Sequence, residues 1–380
     1  MKYSIKSFIG LIFVFSSLVI HAQNDYYLFI GTYTSGKSEG IYVYKFDTLS
    51  AKNSLVSKVK TSNPSYLAVS TLTNLLFAVN ENKSSSENPE GGTISSFSFD
   101  KKTGVLTFLD KKISGGDDPC YISVDNSGKW LFTGNYTSGT ISISPILKGG
   151  KLGVPSQSSQ HYGSSVNKDR QESPHVHGTF LSPNEKYLLV PDLGVDKVIV
   201  YPLNMGKSEV LTPALDPFIL TPGAGPRHLD FHPQKSVVYI LEELTGFVSV
   251  CSFKNGTLNL IQRINAHPDD FTGTKGSADI HVSPDGKFLY TSNRGYMNNI
   301  AIFKIDENTG KLTSLGYQSV LGKTPRNFSF DPSGNFLLVA NQNSDEIVIF
   351  KVDKKTGLLL DAGLRISVPN PVCLKWLSER

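Results

Sequence analysis

The segment NPSYLAVSTLTNLLFAVNE, residues 63–81, contains two short apolar runs separated by a polar turn, and the sequence returns to this pattern five more times. The other copies are DPCYISVDNSGKWLFTGNY (118–136), SPHVHGTFLSPNEKYLLVPD (173–192), GPRHLDFHPQKSVVYILEE (225–243), SADIHVSPDGKFLYTSNR (277–294) and TPRNFSFDPSGNFLLVANQ (324–342). A shortened copy, NPVCLKWL, occupies 370–377. The leading proline, replaced by Ala278 in the fifth copy, recurs every 46–55 residues. Self-similarity at a fixed period indicates a repeat architecture.

Each full copy is followed by a third apolar run, such as TISSFSFD or EIVIFKVD, and several then continue through a TGxL turn into a fourth. Four short strands at this spacing are typical of one blade of a β-propeller. Six blades are complete. YYLFIGTYT (26–34) and GIYVYKFD (40–47) would share the seventh with the C-terminal PVCLKWL. The sequence therefore predicts an all-β, seven-bladed propeller with four antiparallel strands per blade, closed by both termini. An open β-solenoid would have no need of a divided unit.

The N-terminus, MKYSIKSFIGLIFVFSSLVIHAQ, has two lysines, an apolar stretch of about a dozen residues and a small residue at Ala22. This is the layout of a secretory signal peptide. We expect residues 1–22 to be removed, 23–380 to form a single propeller domain, and the mature protein to be exported to the periplasm or the extracellular space. The alternative, an uncleaved anchor, would need about 20 spanning residues.

The bulk composition excludes several classes of function. The formal charge is +4, and without Lys2 and Lys6 the balance is 35 basic against 33 acidic groups, which gives no reason to expect a nucleic-acid partner. No stretch after the signal peptide is long and apolar enough to span a membrane. Cys120, Cys251 and Cys373 fit no metal or disulfide pattern, so we expect buried thiols. Nothing in the sequence specifies a cofactor or an oligomeric state.

Two positions in each repeat should converge at one mouth of the central channel. The innermost strand of a blade lines the channel and the second strand returns antiparallel to it. The residue after the leading proline and the residue ending the second strand therefore lie near the same mouth. The first position gives Ser65, Cys120, His175, Arg227, Asp279, Arg326 and Val372. The second gives Glu81, Tyr136, Asp192, Glu243, Arg294, Gln342 and, in the shared blade, Thr32.

The mixed charges at this mouth are typical of a small-molecule site. His177 should face the same channel as His175, one step deeper, because strand side chains alternate. The loop 148–172 is long enough to cover the mouth and brings in Arg170. A structural alternative is that the arginines and acids only pair to seal the axis. A zinc site would need a third ligand beside the two histidines, and the arginines oppose a cation, so we expect no metal.

These residues resemble the lactonase family of seven-bladed propellers, which includes the propeller-type 6-phosphogluconolactonases and a fungal carboxymuconate-lactonising enzyme. The resemblance spans about 26–376 and is carried by GTYTSGKSEGIYVYKFD, HYGSSVNKDRQESPHVH, GAGPRHLDFHP, ADIHVSPDGKFLYTSNR and TPRNFSFDPSGNFLLVANQ. It implies a catalytic set of one histidine, two arginines and one glutamate, which match His175 or His177, Arg227, Glu243 and Arg294. Glu242 stands where the family commonly has Asn.

The resemblance implies a lactonase that hydrolyses a sugar δ-lactone by metal-independent general acid/base chemistry, and the signal peptide makes the expected enzyme an exported one. Either histidine would be the base, and the arginines would stabilise the oxyanion. We expect the remaining charged and polar groups of the mouth to bind substrate: Arg170, Asp279, Arg326, Glu81 and Gln342. The alternatives are a cycloisomerase acting on a carboxylated muconate, and a non-catalytic exported propeller that binds a glycan or a protein.

Overall fold

A computed structural model describes residues 25–379, so the predicted signal peptide at 1–22 lies outside the described residues. The described chain forms seven four-stranded antiparallel sheets. The strands, numbered in chain order, are β1 (Asp25–Thr32), β2 (Gly40–Asp47), β3 (Asn53–Lys60), β4 (Leu67–Ser70), β5 (Leu75–Asn80), β6 (Thr93–Asp100), β7 (Val105–Ile113), β8 (Pro119–Val124), β9 (Trp130–Asn135), β10 (Thr140–Pro145), β11 (Gln157–Gln160), β12 (Phe180–Leu181), β13 (Tyr187–Asp192), β14 (Lys197–Pro202), β15 (Phe218–Ile219), β16 (Pro226–Phe231), β17 (Val237–Glu242), β18 (Phe247–Lys254), β19 (Thr257–Asn265), β20 (Ser277–Val282), β21 (Phe288–Asn293), β22 (Asn299–Ile305), β23 (Leu312–Ser319), β24 (Pro325–Phe330), β25 (Phe336–Asn341), β26 (Glu346–Val352), β27 (Leu359–Ser367) and β28 (Pro371–Ser378). Three short 3-10 turns lie at Lys148–Gly150, Leu193–Val195 and Gln342–Ser344.

The predicted seven-bladed propeller is confirmed, including its closure by a shared blade. β28 forms the innermost strand of that blade and pairs with β1, with Tyr26 opposite Ser378 and Ile30 opposite Leu374. The sheet order is β28-β1-β2-β3, so the N-terminal part of the chain supplies three strands rather than the two that were predicted. β3 was missed because its side chains are mostly exposed and alternate without an apolar run.

The core lies between the blades, and it explains the apolar runs that mark each repeat. Every residue of β5, β17, β21 and β25 is buried, because these second strands are covered by neighbouring blades on both faces. The outer strand β27 is largely exposed. Large side chains such as Phe77 and Phe328 have no exposed surface. Burial of such a side chain contributes about 1.5–3 kcal/mol to stability.

Part of the segment 148–172, predicted to be a loop, belongs to a blade. β11 lies within it and pairs with β10 as the outer strand of the third blade in chain order. Polar strands with one solvated face are weakly marked in sequence, and QSSQ contains no apolar residue. Only the later part of the segment extends to the mouth of the channel.

The three cysteines are buried and free, as the sequence predicts. They lie on β8, β18 and β28, in three different blades. Burial raises the pKa of Cys251 to about 12 and that of Cys373 to about 11, and it raises the pKa of Cys120 as well. All three are therefore neutral thiols at physiological pH.

Within residues 25–379, no helix has the length and apolar character needed to cross a membrane.

Candidate active site

A cleft of about 190 Å³ opens at the predicted mouth of the channel. Its walls come from residues that follow second strands, from innermost strands and from the segment that ends at residue 172. The lining residues are Tyr33, Glu81, Cys120, Tyr136, Arg170, His177, Glu243, Arg294 and Arg326. Residues separated by more than 290 positions in the chain thus share one concave site. A second, much smaller chamber of about 10 Å³ has Cys120 and Arg326 in its walls as well, together with Arg227.

Glu243 is the centre of a charged cluster. Its Oε1 accepts a hydrogen bond from Arg170 Nη2 at 2.8 Å and lies 3.2 Å from Arg294 Nη2. Its Oε2 lies 2.9 Å from Arg227 Nε. Burial alone would raise the pKa of Glu243, but Arg294, Arg227 and Arg170 outweigh burial and lower it to about 2. The carboxylate is therefore ionised at any physiological pH.

Arg227 joins the cleft to the chamber below it. It is almost completely buried, and its Nη1 donates to the carbonyl oxygen of Ala278 and lies 3.3 Å from His228 Nε2. Burial, with the charges of Arg294 and Arg326, lowers the pKa of Arg227 to about 10, although Glu243 acts in the opposite direction. The guanidinium remains charged at neutral pH and is held in one orientation.

The two histidines of PHVH have different environments. His177 lines the cleft, with its Nδ1 3.8 Å from Cys120 Sγ. His175 does not line it: its ring stacks on Tyr136 at 4.4 Å, and its ring nitrogens contact Tyr136 O and Glu172 Oε1, each at 3.1 Å. Both rings contact Tyr136, with His177 at 5.4 Å, but only His177 lines the cleft, so the expectation that both histidines face the site was wrong for His175.

His177 is neutral. Burial, reinforced by Arg227, His228 and Arg326, holds its pKa well below 6.5. A neutral imidazole in a cationic cleft can accept or donate one hydrogen bond, but it has little tendency to take up a proton.

Glu81, the second carboxyl group of the cleft, is bound by hydroxyl groups rather than by arginines. Tyr33 Oη lies 2.9 Å from both of its oxygens, and Ser65 Oγ also donates to it. Burial raises the pKa of Glu81 above 4.5, although Arg326 and the two hydroxyl groups lower it in part. The Arg326 guanidinium lies 5.2 Å from the centre of the Tyr33 ring.

Tyr33 lines the cleft, although the repeat pattern predicted its neighbour Thr32 at this place. Thr32 was selected for the shared blade, but Thr32 is fully buried and bonds Ser38 and the carbonyl oxygen of Gly40. If GTY (31–33) is aligned with GNY (134–136), Tyr33 has the same position in its repeat as Tyr136, which also lines the cleft. That alignment was the available signal.

Two predicted substrate-binding residues lie away from the cleft. Asp279 faces the channel interior, where it binds His228 Nδ1 at 2.7 Å and His281 Nε2 at 3.1 Å. Ser277 pairs with Asn293 as Pro226 pairs with Glu242, so the fifth repeat begins one residue earlier than the sequence count assumed. Ala278 rather than Asp279 therefore occupies the position that corresponds to Arg227. Gln342 begins a 3-10 turn, and its backbone N–H bonds Thr324 O. Because the strand ends at Asn341 and a turn begins at Gln342, the alternation of strand side chains does not predict where the Gln342 side chain points.

No group of three or more His, Cys, Asp or Glu side chains suited to holding a metal ion occurs among residues 25–379.

The ion pair between the buried Asp279 and the partly exposed His281 gives a prediction for stability. Burial acts against both charged forms, yet the pKa of His281 is raised above 6.5 and that of Asp279 is well below 3.8, because each stabilises the charge of the other. The histidine contribution is complete below about pH 6.5 and is lost as pH rises through its folded pKa. The carboxylate contribution is complete above about pH 3.8 and is lost as pH falls.

We therefore expect His281→Asn to lower the melting temperature most between about pH 4 and 6.5, by roughly 1–2 °C per kcal/mol lost. Thermal unfolding followed by circular dichroism from pH 4 to 9 measures the difference. His232→Asn is the control, because His232 bonds the backbone of Gly286 and Gln234 rather than a carboxylate. A deficit for His281→Asn that grew above pH 7 would contradict the prediction.

Comparison with known proteins gives a consistent result. The family model described as "Lactonase, 7-bladed beta-propeller" matches residues 27–376. The 6-phosphogluconolactonase of Bacillus subtilis is 36% identical over 361 residues, which cover 94% of this chain and all of the relative. The 6-phosphogluconolactonase of Formosa agariphila is 37% identical over 87% of this chain and 94% of its own. Among solved structures, the periplasmic gluconolactonase of Pseudomonas aeruginosa is 36% identical, with a TM-score of 0.87, over 94% of this chain and all of that one.

Proposed function

Because the chain belongs to the lactonase family of seven-bladed β-propellers, we propose that its cleft hydrolyses the δ-lactone of a sugar to the corresponding hydroxy acid. The observation that carries the proposal is the convergence of four arginines and two carboxyl groups on one cleft and the chamber below it. A volume of about 190 Å³ is smaller than the ~300–1,000 Å³ of pockets for drug-sized ligands, and it suits a monosaccharide.

The arginine cluster supplies electrostatic stabilisation. When water adds to the lactone carbonyl, negative charge develops on its oxygen, and charged donors fixed in a desolvated site stabilise that charge most effectively. Glu243 holds Arg227 and Arg294 in place, as their contacts with its two oxygens indicate. His177 orients water or the carbonyl group as a neutral hydrogen-bonding partner. His175 stacks on the ring of Tyr136 and holds that ring in place as one wall of the cleft.

The proposed chemistry needs neither a covalent nucleophile nor a metal. Burial raises the pKa of Cys120, so the thiol in the cleft is protonated and weakly nucleophilic. The surrounding guanidinium groups oppose the binding of a cation. Since sugar δ-lactones also open in water unaided, positioning and charge stabilisation provide a sufficient acceleration.

We also propose that the protein is exported. The support is the signal-peptide layout of residues 1–22, together with the periplasmic location named for the Pseudomonas aeruginosa relative. An exported enzyme would meet unphosphorylated aldonolactones or other cyclic esters more often than a phosphorylated cytosolic metabolite. The substrate class we propose is therefore a sugar δ-lactone, with or without a phosphate group.

The test is acid release from gluconolactone, its 6-phosphate and a panel of other lactones, measured against an enzyme-free blank. Arg294→Ala is expected to lower kcat/KM by about 10²-fold or more, because it removes a charged group from the cleft. Arg365→Ala is the matched control, since Arg365 pairs with Asp361 on the exposed outer strand β27. A wild-type rate equal to the blank across the panel would contradict the proposal. Ultraviolet absorbance with a carboxylated muconate would then test cycloisomerisation.

A further inference from the structure

The two carboxyl groups of the cleft differ in what their oxygens contact. Both oxygens of Glu243 face guanidinium groups: Arg170 and Arg294 at Oε1, and Arg227 at Oε2. With a pKa of about 2, Glu243 does not exchange a proton at neutral pH. Its role in the cleft is to hold the arginines.

Glu81 has the surroundings of a group that can exchange a proton. Its oxygens accept hydrogen bonds from the hydroxyl groups of Tyr33 and Ser65, and within residues 25–379 no Lys, Arg or His nitrogen lies within 4 Å of them. Burial raises its pKa above the ordinary glutamate value. A carboxyl group displaced in this direction is better matched to general acid/base work near neutral pH.

His177 is less suited to the same work. Burial and the charges of Arg227 and Arg326 keep its ring neutral and weakly basic. Its nearest polar side-chain partner with a hydrogen-bond geometry is the Cys120 thiol, at 3.8 Å. A neutral thiol does not stabilise an imidazolium ion, so a proton on His177 would be unfavourable.

Arg326 differs from the other arginines of the cleft in having no carboxylate partner. Arg170, Arg227 and Arg294 each contact Glu243, whereas the side chain of Arg326 forms no hydrogen bond or ion pair with any residue in the described part of the chain. It lines both the cleft and the chamber, beside Glu81 and against the Tyr33 ring. Its N–H donors are therefore available to a bound ligand.

We infer that Glu81 transfers the proton in the proposed hydrolysis and that Arg326 binds the carbonyl oxygen of the lactone, an inference that rests on the proposed function. The Glu81 carboxylate takes a proton from water as the water oxygen bonds to the carbonyl carbon. The oxyanion that forms faces Arg326. When the bond from that carbon to the ring oxygen breaks, the protonated Glu81 returns the proton to the departing oxygen. One lactone and one water give one hydroxy acid, and Glu81 returns to its starting form.

The test compares Glu81→Gln with His177→Gln and, as the matched control, with Glu87→Gln in the exposed loop 82–92. kcat and KM are measured on gluconolactone from pH 5 to 8, with the spontaneous rate subtracted. Glu81→Gln is expected to lower kcat by about 10²–10⁴-fold while KM changes less than threefold. It should also remove the acid limb of the pH profile. His177→Gln should retain that limb, and Glu87→Gln should match the wild type.

Tyr33→Phe provides a second measurement that a purely structural role would not move. The Tyr33 hydroxyl group stabilises the ionised form of Glu81, so its removal should raise the pKa of Glu81. The acid limb is then expected to move to higher pH by roughly half a unit to one unit, which is the size of one hydrogen bond. This variant remains informative if Glu81→Gln does not fold.

Three outcomes are decisive. Loss of kcat and of the acid limb in Glu81→Gln, with the shifted limb in Tyr33→Phe, supports the inference. An active wild type with Glu81→Gln within threefold of its kcat, or with an unmoved acid limb in Tyr33→Phe, overturns the inference and leaves the proposed function standing. A wild type no faster than the blank on the whole lactone panel overturns both.

Discussion

Replacement of Glu243 by alanine is expected to lower the free energy of unfolding by about 3–5 kcal/mol and to reduce lactone hydrolysis by about 10²-fold or more. The carboxylate is the shared partner of Arg170, Arg227 and Arg294. Arg227 is buried, so its charge would be left without compensation in a medium that solvates it poorly. The loss of orientation at Arg227 and Arg294 also weakens the positive charge that these two arginines add to the contact between the oxyanion and Arg326. Urea unfolding and acid release measure the two effects.

The adjacent Glu242 supplies the control. Glu242 is equally buried, but it faces away from the cleft, where it bonds Arg263 at 2.6 and 2.9 Å. Glu242→Ala should therefore also destabilise the fold, though by less because Arg263 is partly exposed, while the folded fraction keeps its activity. Equal losses of activity in the two variants would show that destabilisation, rather than the cleft, explains the effect. A loss of stability under about 1 kcal/mol in Glu243→Ala would contradict the cost assigned to leaving the buried Arg227 charge without a partner.

Removal of residues 371–380 is expected to abolish the folded monomer. These residues contain β28, which pairs with β1 and packs against β4 and β24. Without β28, the buried strand β1 becomes an unpaired edge, and exposed strand edges promote aggregation. Far-UV circular dichroism, sedimentation and protease resistance should all show the loss.

Removal of residues 379–380 alone is the control for that truncation. It leaves β28 intact and removes Glu379, whose contact with Lys45 is partially exposed. Such contacts contribute about 0–1 kcal/mol, so this variant should fold normally. A soluble protein ending at residue 370 with a wild-type melting temperature would contradict the role of β28 in closing the ring.

The fold could be predicted from the sequence because the signal is repeated. Each of the six full copies has a leading residue, two apolar runs and a turn, so an irregularity in one copy does not hide the period. The strands that were missed, β3 and β11, belong to the outer edge of their blades. There the apolar pattern is weak because one or both faces meet water, and NSLVSKVK and QSSQ carry little information about strand structure.

The site could be predicted only in part, because side-chain direction depends on local backbone irregularity. Counting two positions per repeat identified Glu81, Arg294 and Arg326 as residues of the mouth, and they line the cleft. The same counting misplaced Asp279, because the fifth repeat begins one residue earlier than was assumed, and His175, which packs on Tyr136 while His177 lines the cleft.

The sequence also could not predict which side chains of the mouth form pairs with one another. Whether an arginine at the mouth neutralises a carboxylate or remains available depends on distances of a few ångströms. Glu243 therefore takes three guanidinium groups and Glu81 takes two hydroxyl groups, although both occupy the same position in their repeats.

The separation of the three neutral thiols into different blades has a consequence for where the protein can operate. Formation of a disulfide requires cysteine Cα atoms within about 7 Å, and thiol–disulfide exchange requires an accessible thiolate. Cys120, Cys251 and Cys373 are buried and protonated. The described propeller consequently contains no disulfide bond, so we expect its melting temperature to be the same in oxidising and in reducing buffer.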